Sequence, residues 1–378
     1  MSILQPTAHL KGHSQPVLCV KYAKDTFLGE HALASGSEDN TCRIWDTRTQ
    51  RAVKGIKGLQ DPVSSVAFAP ESDSSLFYLS SGKKVSLIYL SLVLLPSLTR
   101  AFFFHSLHKV LTYDLRNTAM TVSEPVREYS FSGDEINSID INQKQTFLAT
   151  ADDNGEVKVI DLLNHKIHKK LTKKHGNICM SVKFSQRKAW EVWSGGLDCK
   201  VYQWDFSKGK PLNILSTSPV EATAAQMFNP PFVYTLETSL DGQWIAAGLG
   251  DASIQLLDFG GKKAKKGDPT TMRLDDGHSN MVNCLSFLPS QSESSSQLIS
   301  GSVNGSLALW QLPQHKEQRT GSETAGAQLL EKYQLDKSIG RLNQLETYSM
   351  DGQKTLLAAA AVGGLHNDGG VLNIYSLA

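Results

Sequence analysis

Short apolar runs recur along the whole chain, each bounded by clusters of Gly, Ser, Asn and Asp. The first lie at Val17 to Tyr22, Ala32 to Ser35 and Cys42 to Trp45, and similar alternation returns over Ile136 to Asp161, Val233 to Asp258 and Leu342 to Tyr375. Apolar positions that alternate with polar ones over four to eight residues predict half-buried strands, whereas a helix would repeat every three or four. Many such runs at regular spacing predict an all-β chain.

The runs belong to a larger repeat. One unit opens at Gly12-His13 and closes on Ile44-Trp45-Asp46; another runs from His175 to Trp204-Asp205, and a third from His278 to Trp310. The three alternating stretches named above, Ile136 to Asp161 among them, have lost the flag residues, and a seventh unit fits between Val63 and Asp114 once an interruption is set aside. A period of about 40 to 45 residues with Gly-His and Trp-Asp flags signals propeller blades. The expected fold is therefore a single seven-bladed β-propeller over 1–378, with four antiparallel strands per blade. Its last blade ends on Val371 to Tyr375 without an outer strand, and Ile3 to Leu10 is placed to supply one and close the ring.

Fixed offsets strengthen this reading. Ser35, Asp39 and Trp45 stand four and six residues apart, as do Ser194, Asp198 and Trp204, then Ser300, Asn304 and Trp310, and Thr150, Asn154 and Ile160 with the aromatic gone. On these residues the chain resembles the WD-repeat family. The resemblance implies buried hydrogen-bonded tetrads: His13, Ser35, Asp39 and Trp45; His175, Ser194, Asp198 and Trp204; His278, Ser300, Asn304 and Trp310. A buried carboxylate needs such partners. Ser, His and Asp together also invite a hydrolase reading, but a set repeated once per blade is better explained as an orienting network than as a catalytic triad.

The interruption, Val85 to Lys109, falls at the expected turn between the second and third strands of blade two. Its apolar run before Pro96 is shorter than the roughly 20 residues a membrane helix needs. Removing it joins Leu79 through Lys84 to a strand Val110 to Asp114. Val85-Ser86 is what an in-frame intron start would encode, and Phe102 to Ser106 what a pyrimidine-rich tract would encode. Two readings stand: a translated intron and a surface loop.

Composition narrows the function. Lys and Arg number 38 against 37 Asp and Glu, a formal charge of +1, so no bulk field draws nucleic acid or an acidic membrane. Five dispersed cysteines without a Cys-x-x-Cys pair read as reduced thiols, and Met1 to Gln15 carry no basic stretch followed by an apolar core. The expected location is the cytoplasm and/or nucleus. No third ligand accompanies His165 and His168, no nucleotide or zinc-hydrolase motif occurs, and no metal, cofactor, small-molecule substrate or enzymatic activity is expected. Lys262 to Lys266 reads as a solvated loop or an import signal.

Proteins are the expected partners. The stretch from Leu33 through Trp45, Asp46 and Arg48 resembles the box of cullin 4 ubiquitin ligase substrate receptors, and Tyr113, Asp114 and Arg116 repeat its ending. The resemblance implies that these six residues meet the ligase adaptor, damaged-DNA-binding protein 1. A planar guanidinium suits such docking. A chromatin- or histone-binding propeller, and an assembly scaffold with no ligase role, are the competing readings.

Overall fold

Strands are the only regular elements among the described residues of the computed structural model, which are 2–23, 31–69, 77–82, 84–88, 119–123, 127–129, 131–218, 229–258, 270–288, 296–313, 326–350, 354–364 and 369–377. They form an all-β propeller built from seven sheets. In the first sheet Val17–Tyr22, Ala32–Ser37, Cys42–Asp46 and Arg51–Ile56 lie side by side in chain order, each antiparallel to the last. The other sheets start from Val63–Phe68, Ile136–Ile141, Cys179–Phe184, Val233–Thr238, Val282–Phe287 and Ile339–Met350. These first strands touch one another in sequence, and Ile339–Met350 returns to Val17–Tyr22, so the circle closes.

The outer edges are treated unequally. Ala8–His9 pairs antiparallel with Gly370–Leu377, Ala8 opposite Ile374, and so supplies the outer strand of the last sheet. Just before it, Ser2–Leu4 runs parallel to Gln328–Leu335, the fourth strand of the preceding sheet. Thr121–Val122 likewise covers Arg51–Ile56 before Arg127–Tyr129 takes the outer place in the second sheet. Each added strand satisfies backbone groups that an edge would otherwise offer to another chain.

The second sheet differs from the expected one. Lys84–Ile88 is its third strand, paired with Phe77–Ser81 on one side and Arg127–Tyr129 on the other. Val85 to Ile88, the start of the expected insertion, therefore carries strand pairing. The turn closes tightly at Gly82, whose φ of 57° suits a residue without a Cβ, and the β-prone run Val-Ser-Leu-Ile follows at once. The rest of the segment, and the third strand expected at Val110 to Asp114, lie outside the described residues.

Every first strand is the inner edge of its sheet, so its backbone needs partners from the neighbouring sheet. All seven first strands carry a register irregularity near their start, and a bulge re-aims the side chain it frees. Three of those side chains, and Asn343 at a second irregularity of Ile339–Met350, reach the next sheet's carbonyls: Ser64 to Ile136 O at 2.5 Å, Asn137 to Cys179 O at 3.1 Å, Asn283 to Leu342 O at 2.7 Å and Asn343 to Val17 O at 2.8 Å. The following residue accepts an amide from that same neighbour. Val20 N donates to Gln344 Oε1 at 2.9 Å, Val182 N to Ser138 Oγ at 3.3 Å and Leu236 N to Ser181 Oγ at 3.0 Å. Asn343 and Gln344 thus close the ring with the same bonds that join its interior.

Glycine in the second strand lets the sheets approach. A Cβ on Gly36 would stand 2.4 Å from Val63 Cγ1, and one on Gly195 would stand 2.4 Å from Val233 Cγ1. Fully buried Val63 and Val233 fill the space instead.

Gln344→Ala should leave the buried Val20 amide without its acceptor at the closing seam. We expect a loss of about 1 to 3 kcal/mol, read by chemical denaturation; an unchanged midpoint would show that the seam does not depend on this bond.

Candidate functional site

The histidine networks form where the link into a sheet meets its second and third strands. Trp45 Nε1 donates to Ser35 Oγ at 2.8 Å, Ser35 Oγ meets His13 Nε2 at 2.8 Å, and His13 Nδ1 meets Asp39 Oδ2 at 3.0 Å. Each donor finds one acceptor if the serine hydroxyl donates to Nε2 and Nδ1 carries the ring proton. Trp204, Ser194, His175 and Asp198 repeat this at 2.8 Å throughout. The third network differs from the expected one. His278 meets Ser300 Oγ at 2.7 Å, but its Nδ1 turns to Ser306 Oγ at 2.9 Å rather than to Asn304. Asn304 instead accepts the Ser306 amide, at 3.1 Å. The asparagine holds the turn, and the hydroxyl two residues on takes the ring.

Burial decides what these sets can do. Ser35 and Ser194 are 0 % exposed and His175 is 1 % exposed, and each serine oxygen already holds an indole N–H and an imidazole. A substrate has no approach to either oxygen. Burial works to raise the Asp39 and Asp198 carboxyls, yet hydrogen bonds from the histidines and from the Ser14 and Gly176 amides hold both below the usual carboxylate range. His278 lacks a carboxylate partner, and burial together with the nearby Lys332 charge pushes its imidazole down to about 4.

Units without the flags rebuild the same corner by other means. In the third sheet the carboxylate comes from Asp152, at 0 % exposure, which accepts Ser132 Oγ at 2.6 Å and Lys158 Nζ at 2.8 Å. Burial would lower the Lys158 ammonium, but Asp152 and Glu156 raise it overall. Thr150 is buried there, and Asn154 and Ile160 make no such set. In the fifth sheet Arg273 pairs with Asp251; in the seventh Tyr375 Oη donates to Asp336 Oδ1 at 2.7 Å.

The expected adaptor residues separate by exposure. Trp45 is 1 % exposed and committed to its tetrad. Asp46 caps the turn after its strand by accepting Arg48 N at 2.9 Å, and the Arg48 guanidinium folds back on the same carboxylate at 3.2 and 3.3 Å while remaining exposed. Asp205 caps its turn in the same way, with Lys208 Nζ on Oδ2 at 2.8 Å. Carboxylates that bind local amides stabilise such turns, so the Asp of the Trp-Asp flag has a local task in each sheet. Tyr113, Asp114, Arg116 and Lys262 to Lys266 lie outside the described residues, as do 219–228 of the long link.

A channel of about 340 Å³ runs through the ring. Four of its charged side chains form two pairs, Lys21 with Glu346 at 2.9 Å and Lys183 with Glu237 at 2.8 Å, and Asp140 and Arg341 also line it. Burial raises the Asp140 carboxyl, and Lys183 only partly offsets it. His165 and His168 go separate ways, the first to Tyr129 Oη and the second against Phe147 and Trp190.

The WD40 family profile, described as WD domain, G-beta repeat, matches residues 4–46, 123–161 and 270–311. Two of the three histidine networks fall inside those repeats. The chain is 25 % identical over 331 residues to the WD repeat-containing protein 53 homolog of Dictyostelium discoideum, covering 83 % of this chain and 80 % of that one. It is 26 % identical over 306 residues to kinesin-like protein KIF21A of Homo sapiens, covering 80 % of this chain and 16 % of that one. Over 78 residues, 21 % of this chain and 8 % of the other, it is 40 % identical to the ribosome biogenesis protein BOP1 homolog of Aedes aegypti.

Asp198→Ala should strip His175 Nδ1 and the Gly176 amide of their acceptor and lower stability by about 1 to 3 kcal/mol. A thermal scan that superimposes on the wild type would remove the tetrad's stabilising role. A pH series tests the third network. With His278 at about 4 in the folded chain and near 6.5 unfolded, the unfolded state binds the extra proton between those values. Stability is therefore full above about pH 6.5 and falls by on the order of 2 to 3 kcal/mol as pH drops toward 4. Below that the Asp39 and Asp198 carboxylates begin to lose their own contribution. His278→Gln should flatten the upper window; an undiminished slope between pH 6.5 and 4.5 in that variant would assign it elsewhere.

Proposed function

We propose that this WD40-repeat chain is a seven-bladed propeller that serves as a non-catalytic platform for protein partners. The observation that carries the reading is the use of its reactive-looking side chains: Ser35, His13, Ser194 and His175 are locked into buried networks. What remains for recognition is a rigid ring with exposed turns, the arrangement on which loops present binding residues. The proposed location is the cytoplasm and/or nucleus, supported by five dispersed cysteines that form no disulfide with one another.

Within that reading the finer proposal is docking to damaged-DNA-binding protein 1 of the cullin 4 ubiquitin ligase through the Asp46 to Arg48 turn, paired with Asp114 and Arg116. Its support is the exposed guanidinium of Arg48, which is 66 % accessible at the end of a rigid strand and fixed in orientation by Asp46. Planar fork geometry could pass from Asp46 to an adaptor carboxylate or carbonyl without rebuilding the turn, because the Arg48 amide still holds Asp46.

Arg48→Ala with Arg116→Ala should abolish adaptor co-purification while leaving the melting temperature within the range of ordinary surface substitutions, and Arg48→Lys should rescue poorly. Calorimetry with purified proteins reads the outcome. Adaptor binding that survives loss of both arginines would sink the ligase proposal and leave the platform; a wild-type chain that retains no protein partner in affinity purification would sink both.

A further inference from the structure

Among the described residues three fourth strands are long enough to present an extended outer edge: Gln328–Leu335 with eight residues, Lys210–Ser216 with seven and Arg51–Ile56 with six. The first and last are covered. Ser2–Leu4 runs parallel to Tyr333 through Leu335, and Thr121–Val122 runs parallel to Gly55 and Ile56. Gly55 N donates to Met120 O at 2.9 Å and Lys57 N to Val122 O at 3.0 Å. Among the described residues no strand covers Lys210–Ser216.

Register places the open stretch. Gly55 lies opposite Arg43, two residues before Trp45, and Ile214 lies opposite Tyr202, two residues before Trp204. Ile214 and Ser216 therefore stand where Gly55 and Lys57 stand. The Thr217 amide donates inward to Cys199 O at 3.0 Å. In an antiparallel pair the inward bonds fall on alternate residues, here Thr217, Leu215 and Asn213, so the backbone groups of Ile214 and Ser216 point outward. Side chains at this edge are accessible as well, with Leu212 49 % and Ile214 38 % exposed. Charge marks one end. Lys200, opposite Ser216, and Lys174, whose carbonyl accepts the Tyr202 hydroxyl at 3.5 Å, are both exposed and make no ion pair among the described residues. Lys174 also shares the rim of a groove of about 410 Å³ with Lys169, Lys170 and Lys173, and Asp198, near Lys200 in the chain, is committed to His175.

We infer that this edge takes an extended segment of a partner protein, added parallel to Lys210–Ser216, with β-branched side chains beside Leu212 and Ile214 and carboxylates at its C-terminal end beside Lys174 and Lys200. Its carbonyls accept the Ile214 and Ser216 amides as those of Met120 and Val122 accept the amides of the first sheet. The direction follows from the chain's own covers, both of which are parallel. Main-chain bonds give strand addition its affinity, and the neighbouring side chains give it selectivity. The inference rests on the platform reading above and names the partner chemistry for one of its surfaces.

The test uses the full chain and an N-terminally fluorescein-labelled peptide of four threonine-valine pairs followed by two glutamates, read by fluorescence polarisation. Wild type should bind it, more weakly as salt rises. Ile214→Pro removes an outward amide while sparing the bonds to Lys200–Asp205, so it should weaken binding at least tenfold, with a melting temperature within the range of ordinary surface substitutions. Ile214→Thr, which keeps the amide and a branched side chain, should stay within about threefold. Lys174→Glu with Lys200→Glu should cost at least tenfold, as should moving the glutamates to the peptide's N-terminus. Lack of binding at millimolar peptide, or full binding by Ile214→Pro, overturns the proposal. So does a concentration-dependent dimer, seen by sedimentation and abolished by Ile214→Pro, which would assign the edge to a second copy of this chain. If wild type keeps its partners in affinity purification yet fails to bind the peptide, the edge assignment falls and the platform stands.

Discussion

A ring of sheets is set by the inner edge of each sheet. The first strand of every unit has a neighbour on one side only, and its other backbone groups face the channel. A buried amide or carbonyl left there would cost about 1 to 3 kcal/mol, and the cost would recur around the circle. The chain meets it by bulging each first strand, so that Ser64, Asn137, Asn283 and Asn343 reach the next sheet's carbonyls. Because Asn343 and Gln344 make these bonds to Val17 and Val20, the two ends of the chain are held at the centre as well as at the rim, where Ala8 pairs with Ile374.

Further out in each sheet, the histidine networks and the capped turns solve the same problem for corners. Where His, Ser, Asp and Trp are all present they form one chain of donors and acceptors; where they are lost, Asp152 with Lys158, or Asp251 with Arg273, takes over. Different chemistry at one place indicates that the constraint is polar satisfaction at a buried turn rather than a reaction. The side chains left exposed at this level are those of the turns, such as Arg48 beside Asp46.

Two of the tetrads were legible in the sequence because the offsets of their Ser, Asp and Trp resemble those of the WD-repeat family, and the structure brings those side chains together. Asn304 shows the limit of matching by offset: its position is right, yet its Oδ1 accepts the Ser306 amide, and the Ser306 hydroxyl meets the ring nitrogen. The inner latches were not legible, since Val20 and Gln344 are brought together only when the circle closes. Nor was the third strand at Lys84–Ile88, because two segments compete for one place and local pattern favours both. The clustering of Lys169, Lys170, Lys173 and Lys174 around one groove was not legible either, because Leu171 and Thr172 interrupt them in the sequence.

Outer edges pose the opposite difficulty from inner ones, since water satisfies them but so would another chain. Ser2–Leu4 and Thr121–Val122 cover two of these edges, and Ala8–His9 completes a third. The edge at Lys166–Lys169 carries no such cover among the described residues, and lysine is the side chain most used to protect an exposed strand. Protection by charge is selective: a second copy of this edge, equally basic, is repelled, and an apolar strand leaves the ammonium groups uncompensated.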